Sequence, residues 1–266
     1  MIGVAPPPGA ARLRALLAPW DGLAGREDAC EESTAGTFAH RGHPIRIPRY
    51  RFVGPAAGHD LIRLGLFAGV HGNEPAGCLA LAQFAAGVSA EPQRAVGYEL
   101  LFYPACNPVG LEAATRENGQ GKDLNREFWR GSPEPEIAIL EAELQTQRFD
   151  GIITLHTDDT SEGLYGYAHG RLLNEALLKP ALAAAARVIP RDGRAQIDGF
   201  AARESVIRDC FPGVLAAPPD RRPRPFDLIF ETPGHAALDL QARAAAAALD
   251  TILAEYRGFI AYGQDL

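Results

Sequence analysis

Short apolar runs alternate with helix-forming segments along most of this chain, and that alternation constrains the fold more than any other feature. Leu61 to Val70, Tyr98 to Cys106, Gly151 to His156 and Phe226 to Glu231 read as strands. Pro75 to Val88 reads as a helix with Pro75 in its first turn, where a missing N–H costs nothing. Pro135 to Arg148 and the Ala-rich His235 to Tyr256 read as helices too, as does Arg171 to Ile189, in which Pro180 marks a break or kink. Strands and helices in this order predict an α/β fold: three layers, α/β/α, around a central, mostly parallel, mixed sheet. Ahead of the alternation, residues 10–24 suit an amphipathic helix with Leu13, Leu16, Leu17 and Trp20 on one face. Residues 37–53 suit a short antiparallel pair around Gly42 and Pro44. Ala216 to Pro225, with four prolines and three arginines, reads as an extended surface loop. The expectation is one domain over 1–266, with 1–58 as an N-terminal addition to a catalytic core over 59–266.

Charge and cysteine usage narrow the function classes. A formal charge of -7 opposes nucleic acid as the main partner, because a phosphate-binding surface must be basic. The four cysteines show no Cys-x-x-Cys spacing, which opposes a cysteine-based zinc or redox site. They read as reduced, in a cytoplasmic protein. The Met1 to Pro8 stretch lacks the basic start and apolar run of a signal peptide, and no stretch approaches the ~20 apolar residues of a membrane span.

Four motifs stand at the ends of expected strands, where open α/β sheets bind ligands. His71-Gly72-Asn73-Glu74 follows the first strand and can aim an imidazole and a carboxylate at one point. His156 ends another strand and completes a His-Glu-His set, the kind of three-ligand set that catalytic zinc takes. Asp158 and Asp159, next to it, are candidates to orient the ligand imidazoles, or else solvated loop residues. Asn107-Pro108-x-Gly110 opens at the same edge. It leads to Thr115-Arg116 and Asp123-Leu124-Asn125-Arg126, whose arginines offer planar donor forks for a carboxylate. Glu231 ends an apolar strand, where desolvation raises a carboxyl pKa toward that of a general base.

The order of these motifs, from His-x-x-Glu through Asn-Pro, Arg, Asp-x-Asn-Arg and strand-His to strand-Glu, resembles the zinc carboxypeptidase superfamily, peptidase family M14. That superfamily includes aspartoacylase and succinylglutamate desuccinylase. The resemblance runs from about Leu61 to Gly234. It implies that His71, Glu74 and His156 ligate one Zn2+ ion and that Arg116 polarises the scissile carbonyl and stabilises the oxyanion. It also implies that Asn125 and Arg126 hold a free carboxylate and that Glu231 is the catalytic base. The His71 to Glu74 turn and the short Arg116 to Arg126 spacing look like the aspartoacylase side. The long interval from His156 to Glu231, and the lack of sequence after the last helix for an extra β-domain, look like the carboxypeptidase side. Residues 200–230 contain no tyrosine, where digestive carboxypeptidases carry a mobile one; Tyr165 and Tyr167 are the candidates to contact substrate in its place.

The expected activity is therefore hydrolysis of an amide or peptide bond next to a free carboxylate, on a small peptide. The alternatives are an N-acyl amino acid deacylase, and a zinc-bearing binding protein without turnover. The intact Glu231 argues against the last. Arg221, Arg222 and Arg224 lie shortly before Glu231 and raise the idea of a preference for an acidic side chain, against the simpler reading of a solvated charge run.

Overall fold

The computed structural model describes residues 11–24, 30–56 and 60–264. The Met1 to Pro8 stretch and the boundary expected near residue 58 lie outside the described residues. The chain opens with helix α1 (Ala11–Ala24), then the hairpin of β1 (Glu31–His40) and β2 (His43–Val53). The alternating part follows: β3 (Ile62–Ala68), α2 (Ala76–Ala90), β4 (Tyr98–Tyr103), α3 (Pro108–Ala113), α4 (Pro135–Thr146) and β5 (Gly151–Asp158). After β6 (Tyr165–Ala168), α5 (Arg171–Leu173) runs through a π turn (Asn174–Leu178) into α6 (Lys179–Ala185). The helical stretch expected over 171–189 is thus irregular just before Pro180, which cannot donate a backbone hydrogen bond. Three short strands, β7 (Gln196–Ile197), β8 (Phe200–Arg203) and β9 (Val206–Ile207), precede β10 (Phe226–Pro233) and the long α7 (Leu238–Gln264).

Among the described residues, ten strands join one mixed sheet in the order β1-β2-β4-β3-β5-β10-β6-β9-β8-β7. Its centre, β4-β3-β5-β10, is parallel as expected. The β1–β2 hairpin adds antiparallel to β4 on one side, and β6 adds antiparallel to β10 on the other. Alternation along the central strands explains the layers, because successive side chains point to opposite faces. Leu64, Leu66, Leu100, Phe102, Ile153, Leu155, Leu228 and Phe230 pack on one face with α2, α6 and α7. Phe67, Leu101, Tyr103 and Ile152 pack on the other, with Ile137, Leu140 and Leu144 of α4. Trp20 of α1 is fully buried and stacks on Tyr50 of β2, with ring centroids 4.2 Å apart at 17°. The N-terminal helix and hairpin thus share the main core. Among the described residues, no helix is long and apolar enough to cross a membrane.

Candidate functional site

Because β3, β4, β5 and β10 run parallel, their carboxyl ends share one edge of the sheet, and the motifs meet there. His71 and Glu74 lie in the turn after β3, closed by a bond from the Glu74 N–H to the His71 carbonyl. The Asn107 turn after β4 braces it. Asn107 caps α3 by accepting from the Gly110 N–H at 2.9 Å, and its Nδ2 donates to the Val70 carbonyl at 3.3 Å. The two turns touch backbone to backbone: a Cβ on Gly72 would lie 1.9 Å from the Gly110 carbonyl carbon. The Asn-Pro motif is therefore a brace for the His-Glu turn.

His156 on β5 and Glu231 on β10 are register partners in adjacent strands, which sets the expected base beside the expected ligand. His71, Glu74 and His156 are 3%, 4% and 4% exposed, and their ligand atoms lie within 4.8 Å of one another. The two carboxylate oxygens of Glu74 are shared out. Oε1 faces His71 Nδ1 at 2.6 Å, and Oε2 faces His156 Nδ1 at 3.0 Å while accepting the Thr157 N–H at 3.0 Å. Both imidazoles thus turn their Nδ1 edges to one carboxylate. Two nitrogens and a carboxylate converging from the turn after β3 and the end of β5 fit a divalent, zinc-like ion.

Asp123 completes this arrangement, with Oδ1 3.0 Å from His71 Nε2 and Oδ2 accepting from Arg116 Nε at 3.0 Å. Such a bond fixes the outer nitrogen of a ligand imidazole and leaves the inner one for the metal. Asp158 and Asp159 do not take this part: Asp158 accepts from Tyr165 Oη at 2.9 Å and from Thr160, and Asp159 is exposed. The signal for Asp123 was present in the Asp123-x-Asn125-Arg126 motif, but only the fold brings it to His71.

The titration of these groups follows from burial set against partners. Burial pushes the Glu74 carboxyl up, but its bonds to His156 and His71 win and hold it below the ordinary carboxylate range. Asp123 is likewise held low, burial being outweighed by His71 and the arginines. For His71, burial favours the neutral ring, but Asp123 and Glu74 outweigh it and raise its pKa. Burial wins at His156, whose pKa falls. Burial also pushes Glu231 well above its ordinary value, and the charges of Glu74, Asp158 and Asp198 add to it.

The site opens into a pocket of about 230 Å³ lined by Arg116, Arg126, Tyr167, Asp198, Phe211 and Glu231 as well as the His-Glu-His set. Arg116 reaches Glu74 Oε1 at 3.5 Å. Arg126 donates to the Asn125 carbonyl at 2.8 Å and lies with its guanidinium carbon 4.1 Å from the Phe211 ring centroid. Asn125 spends its Oδ1 on the Leu215 N–H at 2.9 Å, and its Nδ2 lies 3.5 Å from His156 Nε2. Tyr165 is buried and its hydroxyl is committed to Asp158, whereas Tyr167 is half-buried on the pocket wall. Arg221, Arg222 and Arg224 are not brought to this pocket. Arg221 and Arg222 border a separate surface depression beside Trp129, and Arg224 pairs with Asp227 at 3.0 Å. The idea of an acid-binding arginine cluster is corrected accordingly. The residues that sequence reasoning missed are Asp198, Phe200, Cys210 and Phe211, all on the pocket wall. Asp198-Gly199, with φ of 48° and 81°, is a two-residue hairpin turn between β7 and β8, and an Asp-Gly pair signals such a turn.

The sequence model of the succinylglutamate desuccinylase/aspartoacylase catalytic domain matches residues 60–190, a stretch that contains His71, Glu74, Arg116, Arg126 and His156. No curated protein is significantly similar to the chain. Among solved structures, a candidate metallopeptidase from Shewanella denitrificans is similar over 92% of this chain and 90% of its own, at 23% identity and a TM-score of 0.74. A metallo-carboxypeptidase from Burkholderia cenocepacia is similar over 92% of this chain and 68% of its own, at 14% identity and a TM-score of 0.70. A metallo-carboxypeptidase from Pseudomonas aeruginosa, in complex with (2-guanidinoethylmercapto)succinic acid, is similar over 89% of this chain and 67% of its own, at 17% identity and a TM-score of 0.58. At these identities the likeness is one of fold. The matched catalytic-domain model, which spans just under half of the chain, and the ordered motifs support the zinc carboxypeptidase-like superfamily.

Proposed function

We propose that this protein is a zinc-dependent hydrolase that cleaves an amide or peptide bond next to a free carboxylate, in the manner of a carboxypeptidase. The observation that carries this reading is the convergence, in one pocket, of a His-Glu-His donor set, a raised carboxyl on the adjacent strand and two arginines. His71, Glu74 and His156 would hold one ion. When bound, zinc supplies Lewis-acid chemistry: it polarises a carbonyl and makes water acidic near neutral pH.

The remaining work falls to the protein's own groups. Glu231 takes the proton of the attacking water and returns it to the leaving nitrogen. Burial raises its pKa, the direction that lets one carboxyl serve first as base and then as acid. Arg116, beside Glu74, faces the negative charge that develops on the carbonyl oxygen. Arg126, helped by the Nδ2 of Asn125, holds the substrate carboxylate away from the bond being cut. Tyr167 is better placed than Tyr165 to touch substrate, since Tyr165 is buried with its hydroxyl held by Asp158 whereas Tyr167 is half-buried on the pocket wall. Four unpaired cysteines, three of them buried, support a reducing, cytoplasmic setting. The chain is read as one unit over 1–266, with 1–58 as an addition whose helix and hairpin extend the core and the sheet.

A second reading is an N-acyl amino acid deacylase, favoured by the match to the desuccinylase/aspartoacylase domain. A panel of C-terminally free peptides and N-acyl amino acids, assayed with the zinc-loaded protein, separates the two. Faster turnover of N-acyl amino acids than of any peptide would transfer the assignment to the deacylase. No turnover of either by metal-loaded protein would leave a binding protein.

A further inference from the structure

Arg126 lines the pocket, yet among the described residues its guanidinium forms no ion pair. Its one hydrogen bond goes to the carbonyl of its neighbour Asn125. Its main partner is an aromatic face. The guanidinium carbon sits 4.1 Å from the centroid of Phe211, and Phe211 is in turn held edge-on by Phe200 of β8, centroids 4.8 Å apart at 72°. An arginine stacked on a ring keeps its in-plane N–H edges free, whereas one paired with a protein carboxylate has spent them.

The segment that carries Phe211 is itself fastened to the arginine loop. The Phe128 N–H donates to the Gly213 carbonyl at 3.1 Å, and the Leu215 N–H to Asn125 Oδ1 at 2.9 Å. Gly213 has a φ of 80°, and a Cβ there would lie 2.2 Å from the Arg126 carbonyl oxygen, so the two backbones touch. This segment lies beyond residue 190, outside the stretch matched by the catalytic-domain model.

We infer that Phe211 is a positioning residue for carboxylate recognition: its ring face orients the Arg126 guanidinium, and Phe200 ties that clamp to the β7–β8 hairpin. The inference rests on the reading of Arg126 as the carboxylate-binding group. Phe211 acts through Arg126 and so belongs to binding, not to the chemical step. A contact of this kind changes affinity by roughly three- to tenfold.

The test uses zinc-loaded protein and an N-acyl dipeptide ending in Leu, assayed as the free acid and as its carboxamide. Phe211→Leu should raise KM for the acid by about three- to tenfold, leave kcat within about twofold, and change nothing on the amide. Phe211→Tyr, which keeps the ring face, should retain the wild-type KM. A pentafluorophenyl ring at position 211 keeps the shape but reverses the ring's charge distribution, and should behave like Leu. Circular dichroism checks that each variant folds; should Phe211→Leu fail to fold, the Tyr and pentafluorophenyl pair still decides. Three results would overturn the inference while leaving Arg126 its role: a normal KM with the pentafluorophenyl ring, equal losses on acid and amide, or a loss confined to kcat. The underlying reading fails separately, if the wild type cuts acid and amide alike or if Arg126→Ala leaves their ratio unchanged.

Discussion

The floor and the rim of the pocket are built by different means. The floor stands on the carboxyl ends of the central parallel strands, where His71, Glu74 and His156 are almost wholly buried and Glu74 meets four partners. The rim stands on residues 191–215, where β7 and β9 are two residues long and Asp198, Glu204 and Ser205 all take positive φ. Asp198, Phe200, Cys210 and Phe211 on the rim are exposed or half-buried. The comparison teaches a division of labour. On the proposed function, groups that hold an ion or a proton at a fixed place sit where packing and hydrogen bonds over-determine them. Groups proposed to choose among substrates sit on short strands and loops that tolerate change.

The largest expected effect breaks the floor's chemistry without its geometry. Glu231→Gln keeps size and polarity but removes the base, so kcat should fall ~10²–10⁴-fold while metal content is unchanged. A variant with near-normal turnover would make Glu231 a structural residue. Next comes Asp123, which fixes the outer nitrogen of His71. Asp123→Ala should weaken zinc binding by ~10–100-fold in a competition titration with a chromophoric chelator. Unchanged affinity would remove Asp123 from the site.

The same bond gives a pH dependence. A ligand imidazole must be neutral to bind a metal, and Asp123 and Glu74 raise the pKa of His71. Protons should therefore compete with zinc from a higher pH than at a free imidazole. Affinity should begin to decline above the ordinary imidazole pKa of about 6.5 as pH falls, and Asp123→Ala should move that decline to lower pH. A profile that is flat in the wild type contradicts the assignment.

In the loop against which the rim packs, Arg126→Ala should lower kcat/KM on a free-acid substrate by about ten- to a hundredfold, mostly through KM. A hydrogen bond to a charged group is worth ~1.5–3 kcal/mol. The same change should cost little on the carboxamide, and that non-additivity marks a direct contact.

The smallest effects concern stability and test the contrast itself. Gly72→Ala on the floor would drive a Cβ into the Gly110 backbone and should destabilise the fold by about 1–3 kcal/mol. Asp198→Asn on the rim keeps a residue tolerant of positive φ and should stay within about 0.5 kcal/mol. Denaturant unfolding of both variants measures the difference, and equal losses would erase the distinction between floor and rim.

Much of the floor was legible in the sequence, because its information is local. Apolar runs marked β3, β4, β5 and β10, and His71, Glu74, His156 and Glu231 stand within a few residues of their ends. The parallel order of those strands then brings them together without further information. The rim was not legible. Strands of two residues leave no alternation to read, and Tyr165–Ala168 is only four residues long. Asp123 lay inside a recognised motif, yet its partner His71 comes from another strand's turn, and no local pattern encodes that pairing. The three arginines before β10 misled for the converse reason. Nearness in sequence to Glu231 suggested nearness in space, but Arg221 donates to the Gln145 carbonyl in the last turn of α4 and borders a separate surface depression.

The most direct test of the central claim is elemental analysis of purified protein loaded with zinc and freed of excess, wild type beside His156→Ala. The account predicts one zinc per chain in the wild type, and next to none in the variant while its circular dichroism shows the fold intact. A wild type that retains no zinc, or a His156→Ala variant that retains as much as the wild type, would contradict it.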